Sequence, residues 1–214
     1  NRFGSVNEIG VFGMTDKGLR GVRNPSALFL AERREGVPGS VTFINLEGTR
    51  PILIEIQALV DKSMLPNPKR LTVGTDGQRL TMLLAILHRH VNLPTYDQDV
   101  FLNAVGGIKI TETASDLAVL TAIVSSMCNR PVSSKTAIFG EVGLGGEIRP
   151  VARGQERIRE AAKLGFSRLI VPLKNKAQDI PGVEIVGVDN LKEAMRIIFG
   201  STARRHDEEV YPEE

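Results

Sequence analysis

The spacing of apolar residues changes along the middle of the chain, from a period of two to a period of about 3.6. Beyond Ser40, apolar and polar residues alternate in two segments, which predicts two half-buried strands that contain Val41 and Phe43, and Ile52, Ile54, Ile56 and Val60. The next segment, QRLTMLLAILHRH, instead carries leucines at i, i+3, i+4 and i+7, namely Leu80, Leu83, Leu84 and Leu87. This pattern predicts a helix with one buried face after the strands.

The second half of the chain predicts further strands and helices in turn. DVFLNAVGGIKI predicts a strand interrupted at Gly106 and Gly107, and LAVLTAIVSSM, apolar almost all round, predicts a buried helix. GEVGLGGEIRPV predicts a hairpin that turns near Gly145 and Gly146. RGQERIREAAKLGF and NLKEAMRIIF are amphipathic, while RLIVP and VEIVGV are typical of strands. The order of elements predicts an α+β fold with a mixed sheet and packed helices.

The two ends of the chain differ from this central region. EIGVF and GLRGV predict a short strand pair, and NPSALFLAERRE predicts a helix that ends toward a linker at Gly36. STARRHDEEVYPEE has no apolar period and predicts a flexible acidic tail. We therefore divide the chain into residues 1–36, a main domain of residues 37–200, and a tail of residues 201–214.

Composition and charge narrow the classes of function. One cysteine, Cys128, excludes an internal disulfide, and the three histidines have no metal-ligand spacing, so we expect no metal site and a reducing, cytoplasmic setting. No apolar run is long enough to span a membrane. The last 14 residues hold two arginines and five acidic residues, so the rest of the chain carries a net charge of +5. This mild excess permits contact with nucleic acid without requiring it.

Several blocks of sequence occur together in the order and spacing of one known protease family. TETASDLAVLTAIVS, GEVGLGGEIRPV, GQERIREAAKLGF and RLIVPLKNK resemble the proteolytic domain of Lon-type proteases, from about Ser40 to Gly200. The resemblance implies a Lon-protease-like fold of the ribosomal protein S5 domain 2-like type. It also implies that a serine and a lysine would form a catalytic dyad.

Neither dyad position carries the residue that the chemistry needs. The resemblance places the nucleophile on Ala114, one residue before Ser115, and the lysine on Gln155, which cannot act as a base at any accessible pH. Lys163 lies about 12 Å further along the same helix, too far to serve the same serine. We therefore expect no catalytic residue, and we interpret Ser115 and Asp116 as side chains that cap a helix. The alternative is a Ser-dependent peptidase of the Lon type that uses Ser115.

The N-terminal third of the chain resembles a second, more specific family. NRFG, EIGVFGMTDKGLRGVRNPSALFLAER and EGTRPILIEIQALV resemble the RadA, or Sms, family of bacterial DNA repair proteins. In that family a zinc-binding segment and a RecA-like ATPase core precede the Lon-like domain, with a Lys-Asn-Arg-Phe-Gly motif between them. Residues 1–36 would then be the end of the ATPase core and a linker. We expect the chain to be a fragment that keeps only Asn1, Arg2, Phe3 and Gly4 of the motif.

The second resemblance implies a function for the parent and for this part of it. The parent would be a DNA-dependent ATPase or helicase that forms a hexameric ring and drives branch migration of recombination intermediates. ATP, magnesium and zinc would bind only in the parent, so we expect no cofactor here. This chain would be a non-proteolytic scaffold that supports ring assembly and duplex DNA binding. Expected partners are further copies of the chain, DNA, and recombinase and replication-fork proteins, with no membrane contact.

A set of basic residues is the candidate for contact with DNA phosphates. Such contacts need no sequence readout and weaken with salt, and the candidates are Lys69, Arg70, Arg79, Arg153, Arg157 and Arg159. The alternative for residues of the RGQERIREAAKLGF segment is ordinary surface pairing on a helix, because Glu156 and Arg159 are i, i+3 neighbours. A further alternative is a domain that binds a protein partner and contacts DNA only in the full ring.

Overall fold

The computed structural model describes residues 12–16, 18–21, 26, 30, 34–176 and 179–200 of the chain. Within these ranges a seven-stranded sheet forms the centre of the molecule, with spatial order β11-β10-β7-β3-β4-β6-β5. Its strands are β3 (Ser40–Glu47), β4 (Arg50–Lys62), β5 (Arg70–Val73), β6 (Gln98–Ala104), β7 (Thr136–Ile138), β10 (Arg168–Pro172) and β11 (Glu184–Val188). Two hairpins lie outside this sheet: β1 (Phe12–Thr15) with β2 (Gly18–Gly21), and β8 (Glu141–Val142) with β9 (Ile148–Arg149).

The central sheet contains both parallel and antiparallel neighbours. Strand β4 runs antiparallel to β3 and to β6, whereas the pairs β3 with β7, β7 with β10, β10 with β11, and β5 with β6 are parallel. The hairpin between β3 and β4 turns at Gly48, which has a φ of 60° that suits glycine. The predicted α+β fold with a mixed sheet is therefore confirmed.

Four α-helices pack with the sheet in the described part of the chain. They are α1 (Gly77–Val91), α2 (Asp116–Met127), α3 (Gly154–Lys163) and α4 (Leu191–Phe199). Asp76 caps α1, because its carboxylate accepts a hydrogen bond from the backbone N–H of Arg79 at 2.9 Å. Helix α2 is buried from Asp116 to Ser125, as its uniformly apolar sequence predicts. No helix in the described ranges is both long and apolar enough to cross a membrane.

Strand β3 differs from the prediction that it is half-buried. Every residue from Ser40 to Asn45 is buried, so neither face of this stretch reaches solvent. Helices α2 and α3 both contact β3 and β4, which explains why polar residues such as Thr42 and Asn45 also lie inside. Alternation of polar residues therefore did not mark a solvent-exposed face here.

Several predictions fall on parts of the chain that the structure does not describe. The Asn1–Gly4 motif, most of the helix predicted from NPSALFLAERRE, and the acidic tail of residues 201–214 all lie outside the described residues. Ser26, which is described, is buried, and its hydroxyl accepts a hydrogen bond from the backbone N–H of Leu53 at 2.9 Å. The division of the chain at residues 36 and 200 stays a prediction.

Candidate functional site

The position expected for a Lon-type nucleophile lies in a single turn of 3-10 helix, Thr113–Ser115, that leads into α2. Ala114 is buried in this turn, and its carbonyl accepts a hydrogen bond from the backbone N–H of Gly140 at 2.8 Å. The Gly140 carbonyl in turn accepts from the N–H of Leu117 at 3.0 Å. The backbone of Gly140, after β7, therefore holds the Thr113–Ser115 turn in place. The side chain at the position expected for the nucleophile is the methyl group of Ala114.

Ser115 is buried and its hydroxyl is engaged with the backbone. Its Oγ donates to the carbonyl of Glu112 at 2.9 Å. The expectation that Ser115 or Asp116 caps α2 is wrong, because Ser115 has helical backbone angles and makes no side-chain cap hydrogen bond. The Asp116 carboxylate instead accepts from the N–H of Val142, outside the helix, at 3.0 Å. The Gly140 carbonyl takes up the N–H of Leu117 that a cap would otherwise bind.

The position expected for the lysine is the second residue of α3. The side-chain amide of Gln155 donates to the carbonyl of Asn175 at 3.0 Å. Asn175 also holds the loop before α3, because its side chain accepts from the N–H of Val151 at 2.7 Å and donates to the Val151 carbonyl at 3.1 Å. Gly154 lies so close to the Asn175 side chain that an added Cβ would collide with it. Gln155 therefore serves this packing and supplies no base.

A cavity of about 240 Å³ lies between the start of α1 and the segment that precedes α2. None of the described residues that line it is a lysine or a histidine. Lys109, Lys135 and Lys163, which could be considered as substitute bases, are exposed residues outside this lining. The polar lining consists of Thr75, Asp76, Gln78, Arg79, Thr111, Glu112, Thr113, Ser115 and Asp116.

Arg157, one of the candidate DNA-contacting residues, lies in the interior of the molecule. It is 0% exposed, and its guanidinium donates to both carboxylate oxygens of Glu112, at 2.8 and 2.5 Å. It also donates to the carbonyls of Ile44 and Ala152, and lies 5.7 Å from the ring centre of Phe139. The expectation that Arg157 contacts DNA is therefore wrong, because the side chain is covered and its donors are used.

The Arg157–Glu112 pair connects the two elements that carry the dyad positions. Glu112 directly precedes the Thr113–Ser115 turn, and Arg157 lies one helical turn from the start of α3. Glu112 also accepts a hydrogen bond from the backbone N–H of Leu46 in β3 at 2.8 Å. The sequence analysis did not identify Glu112 as a site residue. Its carboxylate accepts three hydrogen bonds from distant parts of the chain, one from Leu46 and two from Arg157.

Arg79 forms a second ion pair at the same end of α2. Its guanidinium donates to both oxygens of the Asp116 carboxylate and to the Val142 carbonyl, the latter at 3.0 Å. Burial raises the pKa of the Asp116 carboxyl, and hydrogen bonds from Arg79 and Val142 oppose this rise. The hydrogen bond to Asp116 raises the pKa of Arg79. Arg79 thus forms a structural pair with Asp116 at the wall of the cavity.

Arg70 is likewise occupied by contacts within the molecule. Its guanidinium donates to the backbone carbonyls of Lys69, Thr95 and Gln98. Burial lowers the pKa of Arg70, and the nearby charge of Asp99 opposes this effect. The side chain therefore ties the start of β5 to the residues that lead into β6.

The remaining three candidates are exposed but do not form one cluster. Arg153 and Arg159 lie at the start and on the outer side of α3, and an Arg153 Nη donates to the Thr49 carbonyl at 3.2 Å. Lys69 directly precedes β5, the edge strand, two strands away from the β3–β4 pair on which α3 packs. The structure thus separates Lys69 from the two arginines of α3. Among the described residues, no group of three histidine, cysteine or acidic side chains could hold a metal ion.

Comparison with known proteins finds one family and a set of curated relatives. Residues 97–205 match the family model of the Lon protease C-terminal proteolytic domain. The chain is 59% identical over 200 residues to a protein named DNA repair protein RadA from Pseudomonas aeruginosa. Proteins of the same name from Escherichia coli and Bacillus subtilis are 57% and 46% identical over 198 and 202 residues. These alignments cover 92% to 94% of this chain but only 43% to 44% of each relative, so the chain spans less than half of their length.

Proposed function

The chain belongs to the Lon protease C-terminal proteolytic domain family, and we propose that it is a non-proteolytic scaffold and duplex-DNA-binding domain of a RadA-type DNA repair protein. One observation carries this proposal: the positions that the resemblance to Lon-type proteases gives for the serine and the lysine hold Ala114 and Gln155. The close similarity to proteins named DNA repair protein RadA supports a role in DNA repair.

The chemistry of the site supports the absence of proteolysis. An alanine methyl group cannot attack a peptide carbonyl, and a glutamine amide cannot accept the proton of a serine. Ser115 is adjacent, but its hydroxyl donates to a backbone carbonyl at 2.9 Å and lies among cavity residues that supply no lysine or histidine. A serine nucleophile needs a base within roughly 3 Å, and none of the described residues that line the cavity is a lysine or a histidine.

The interior contacts support a scaffold role. Glu112 and Arg157 connect the turn before α2 to α3, and Arg79 and Asp116 connect α1 to α2. Buried charges of this kind are strongly destabilising when one partner is lost, so they favour one arrangement of the helices on the sheet. A domain held in this way can present a fixed outer surface to neighbouring subunits of a ring.

Contact with DNA is assigned to the exposed basic residues that remain. Arg153 and Arg159 share α3, and Lys69 lies at the edge of the sheet. Each can neutralise one phosphate without reading sequence, which suits a protein that moves along duplex DNA. In the parent, a hexameric ring with ATP, magnesium and zinc in other segments would use these contacts during branch migration, together with recombinase and replication-fork proteins.

Duplex binding tests the DNA part of the proposal. The affinity of the chain for a fluorescent duplex is measured across a salt series for the wild type and for Arg153→Ala with Arg159→Ala. We expect binding that falls with salt and a shallower salt dependence in the variant. Arg89→Ala with Arg130→Ala, at two exposed arginines outside α3, is the matched control. Absence of binding at low salt, or an unchanged salt dependence in the variant, contradicts DNA contact by α3.

Two further assays test the remaining parts of the proposal. Native mass spectrometry at tens of micromolar is expected to detect assemblies of several copies, and monomers alone would remove the ring-scaffold role.

Unfolded casein is expected to remain intact in the presence of the chain. Hydrolysis of casein that disappears in Ser115→Ala would instead establish a peptidase.

A further inference from the structure

One face of the sheet, where β4, β6 and β5 lie side by side, is left uncovered by the described residues. Leu59 is 60% exposed, Leu71 56% and Val73 53%. Leu59 and Leu71 are both opposite Phe101 in the strand register, so these side chains share one face. We define the outer sheet face as Val37, Leu59, Leu71, Val73 and Phe101, which line a shallow groove of about 390 Å³.

The opposite face of the same strands belongs to the core. Ala58, Val100 and Leu102 are buried there, directly behind the exposed leucines. On the outer side, Gln57 and Asn103 are polar residues that line the groove together with the exposed apolar side chains. An ordinary antiparallel sheet has a mainly polar solvent face, so the exposed leucines and valine are unusual here. Exposed apolar patches of a few hundred Å² with a polar rim mark interaction sites on soluble proteins.

A second apolar group continues from this face at the end of the sheet. Met64 is 92% exposed and Tyr96 76%, and Leu65 is also exposed. The two loops that carry them are joined, because the N–H of Ser63 donates to the carbonyl of Asp97 at 2.8 Å. We call Met64, Leu65 and Tyr96 the sheet tip. Methionine and tyrosine are both enriched in protein interfaces.

A stable contact between two copies needs a cluster of apolar side chains at its centre. Of the ten large hydrophobic residues that are exposed in the described part of the chain, seven lie on the outer sheet face and the sheet tip. This concentration gives the combined surface the apolar centre that a contact between copies needs.

The charged residues around this surface favour a partner that also carries equal numbers of positive and negative charges. The rim carries three charges of each sign, on Asp61, Asp97 and Asp99 and on Lys62, Lys69 and Arg70. A rim without net charge gives a polyanion such as DNA no overall attraction, although Lys69 alone can contact one phosphate. Two copies of the same rim, related by a two-fold axis, can place each lysine near an aspartate of the other copy.

We propose that the outer sheet face and the sheet tip bind a second copy of this chain face to face across a two-fold axis. Such a contact is isologous, whereas closure of a ring uses heterologous contacts between unlike surfaces. The inference therefore goes beyond the ring assembly proposed above, since it joins copies in pairs.

Sedimentation velocity from micromolar to near-millimolar concentration tests the pairing. Pairing across a two-fold axis doubles the mass of whatever unit is present at low concentration. The wild type is therefore expected to shift toward twice that mass as concentration rises, from monomer to dimer or from ring to paired rings. Leu59→Asp and Leu71→Asp are expected to weaken this association by at least about tenfold, because each places a charge at the centre of the apolar contact. Leu173→Asp is the matched control, since Leu173 is 51% exposed on the turn after β10, near the opposite edge of the sheet.

The outcomes separate this inference from the proposed function. A wild type whose mass does not double anywhere in this range, or a paired species that forms equally well in both Leu→Asp variants, overturns the inference. Circular dichroism establishes that the variants are folded, and if Leu71→Asp fails to fold, Leu59→Asp alone decides. The duplex titration is run on the same samples. Dimers without DNA binding leave the pairing intact and remove the DNA role, while loss of DNA binding in Leu59→Asp assigns the face to DNA and overturns the pairing.

Discussion

The inner and outer sides of α3 place two arginines in opposite environments. Arg157 is fully buried and bound to Glu112, whereas Arg159, two residues later, is exposed. The two residues have the same chemistry and almost the same sequence context. This difference shows that a basic residue on a helix can be assigned to a DNA-binding surface only when the face of the helix on which it lies is known.

Among variants that test the difference between the two sides of α3, Arg157→Ala is expected to cause the largest loss of unfolding free energy. The change empties a fully buried site and leaves the Glu112 carboxylate and the carbonyls of Ile44 and Ala152 without their donor. Such losses cost about 3–5 kcal/mol of unfolding free energy. Urea denaturation monitored by circular dichroism measures the change. Arg159→Ala is the control, and its effect is expected to stay within about 0.5 kcal/mol. Equal losses in the two variants would remove the distinction between the two sides of α3.

A second test extends the comparison to the other interior pair. Asp116→Ala removes the acceptor that binds Arg79 and the N–H of Val142. We expect a loss of about 1.5–3 kcal/mol in unfolding free energy. The loss should be less than for Arg157→Ala, because Asp116 is a smaller buried side chain than Arg157 and because Arg79, which is 27% exposed, regains water. Thermal unfolding of both variants in one buffer gives the order. A loss for Asp116→Ala greater than that for Arg157→Ala would contradict the argument from burial.

The inner side of α3 is also sensitive to added volume. Gly154→Ala places a Cβ against the Asn175 side chain, which holds the loop before the helix. We expect a loss of about 1–3 kcal/mol, because the neighbour must move and its hydrogen bonds to Val151 weaken. Glu156→Ala, at an exposed position of the same helix, serves as the control in the denaturant titration. Unchanged stability in Gly154→Ala would mean that Asn175 adapts freely.

The smallest effect is expected on the outer side of the helix. Arg159→Ala should leave stability unchanged and weaken duplex binding, with a salt slope shallower by about one unit for one lost phosphate contact. Fluorescence anisotropy across a salt series measures both quantities. If Arg159→Ala binds duplex with the wild-type salt slope, the outer side of α3 carries no phosphate contact.

The sequence predicts the helices and the fold class well, because periodicity and several ordered blocks point to the same arrangement. The burial of Arg157 also had a sequence signal, since Gly154, Arg157, Ile158 and Ala161 follow the i, i+3, i+4, i+7 spacing of a buried stripe. Its partner had none, because Glu112 lies 45 residues away and only tertiary structure brings the two together. For the same reason the exposed face of β4, β6 and β5 could not be predicted from alternation in single strands.

The order of strands has a consequence for the synthesis of the chain on the ribosome. Strand β3 lies at the centre of the sheet, between β4 and β7. In its pairing with β7, Thr42 lies opposite Ala137 and Phe43 lies opposite Ile138. When β3 and β4 emerge and pair, the other edge of β3 has no partner until the segment around residue 138 has followed. Unpaired apolar edges of this kind promote aggregation of nascent chains. The central sheet therefore depends on residues of β7, which are synthesised later, to pair with the open edge of β3.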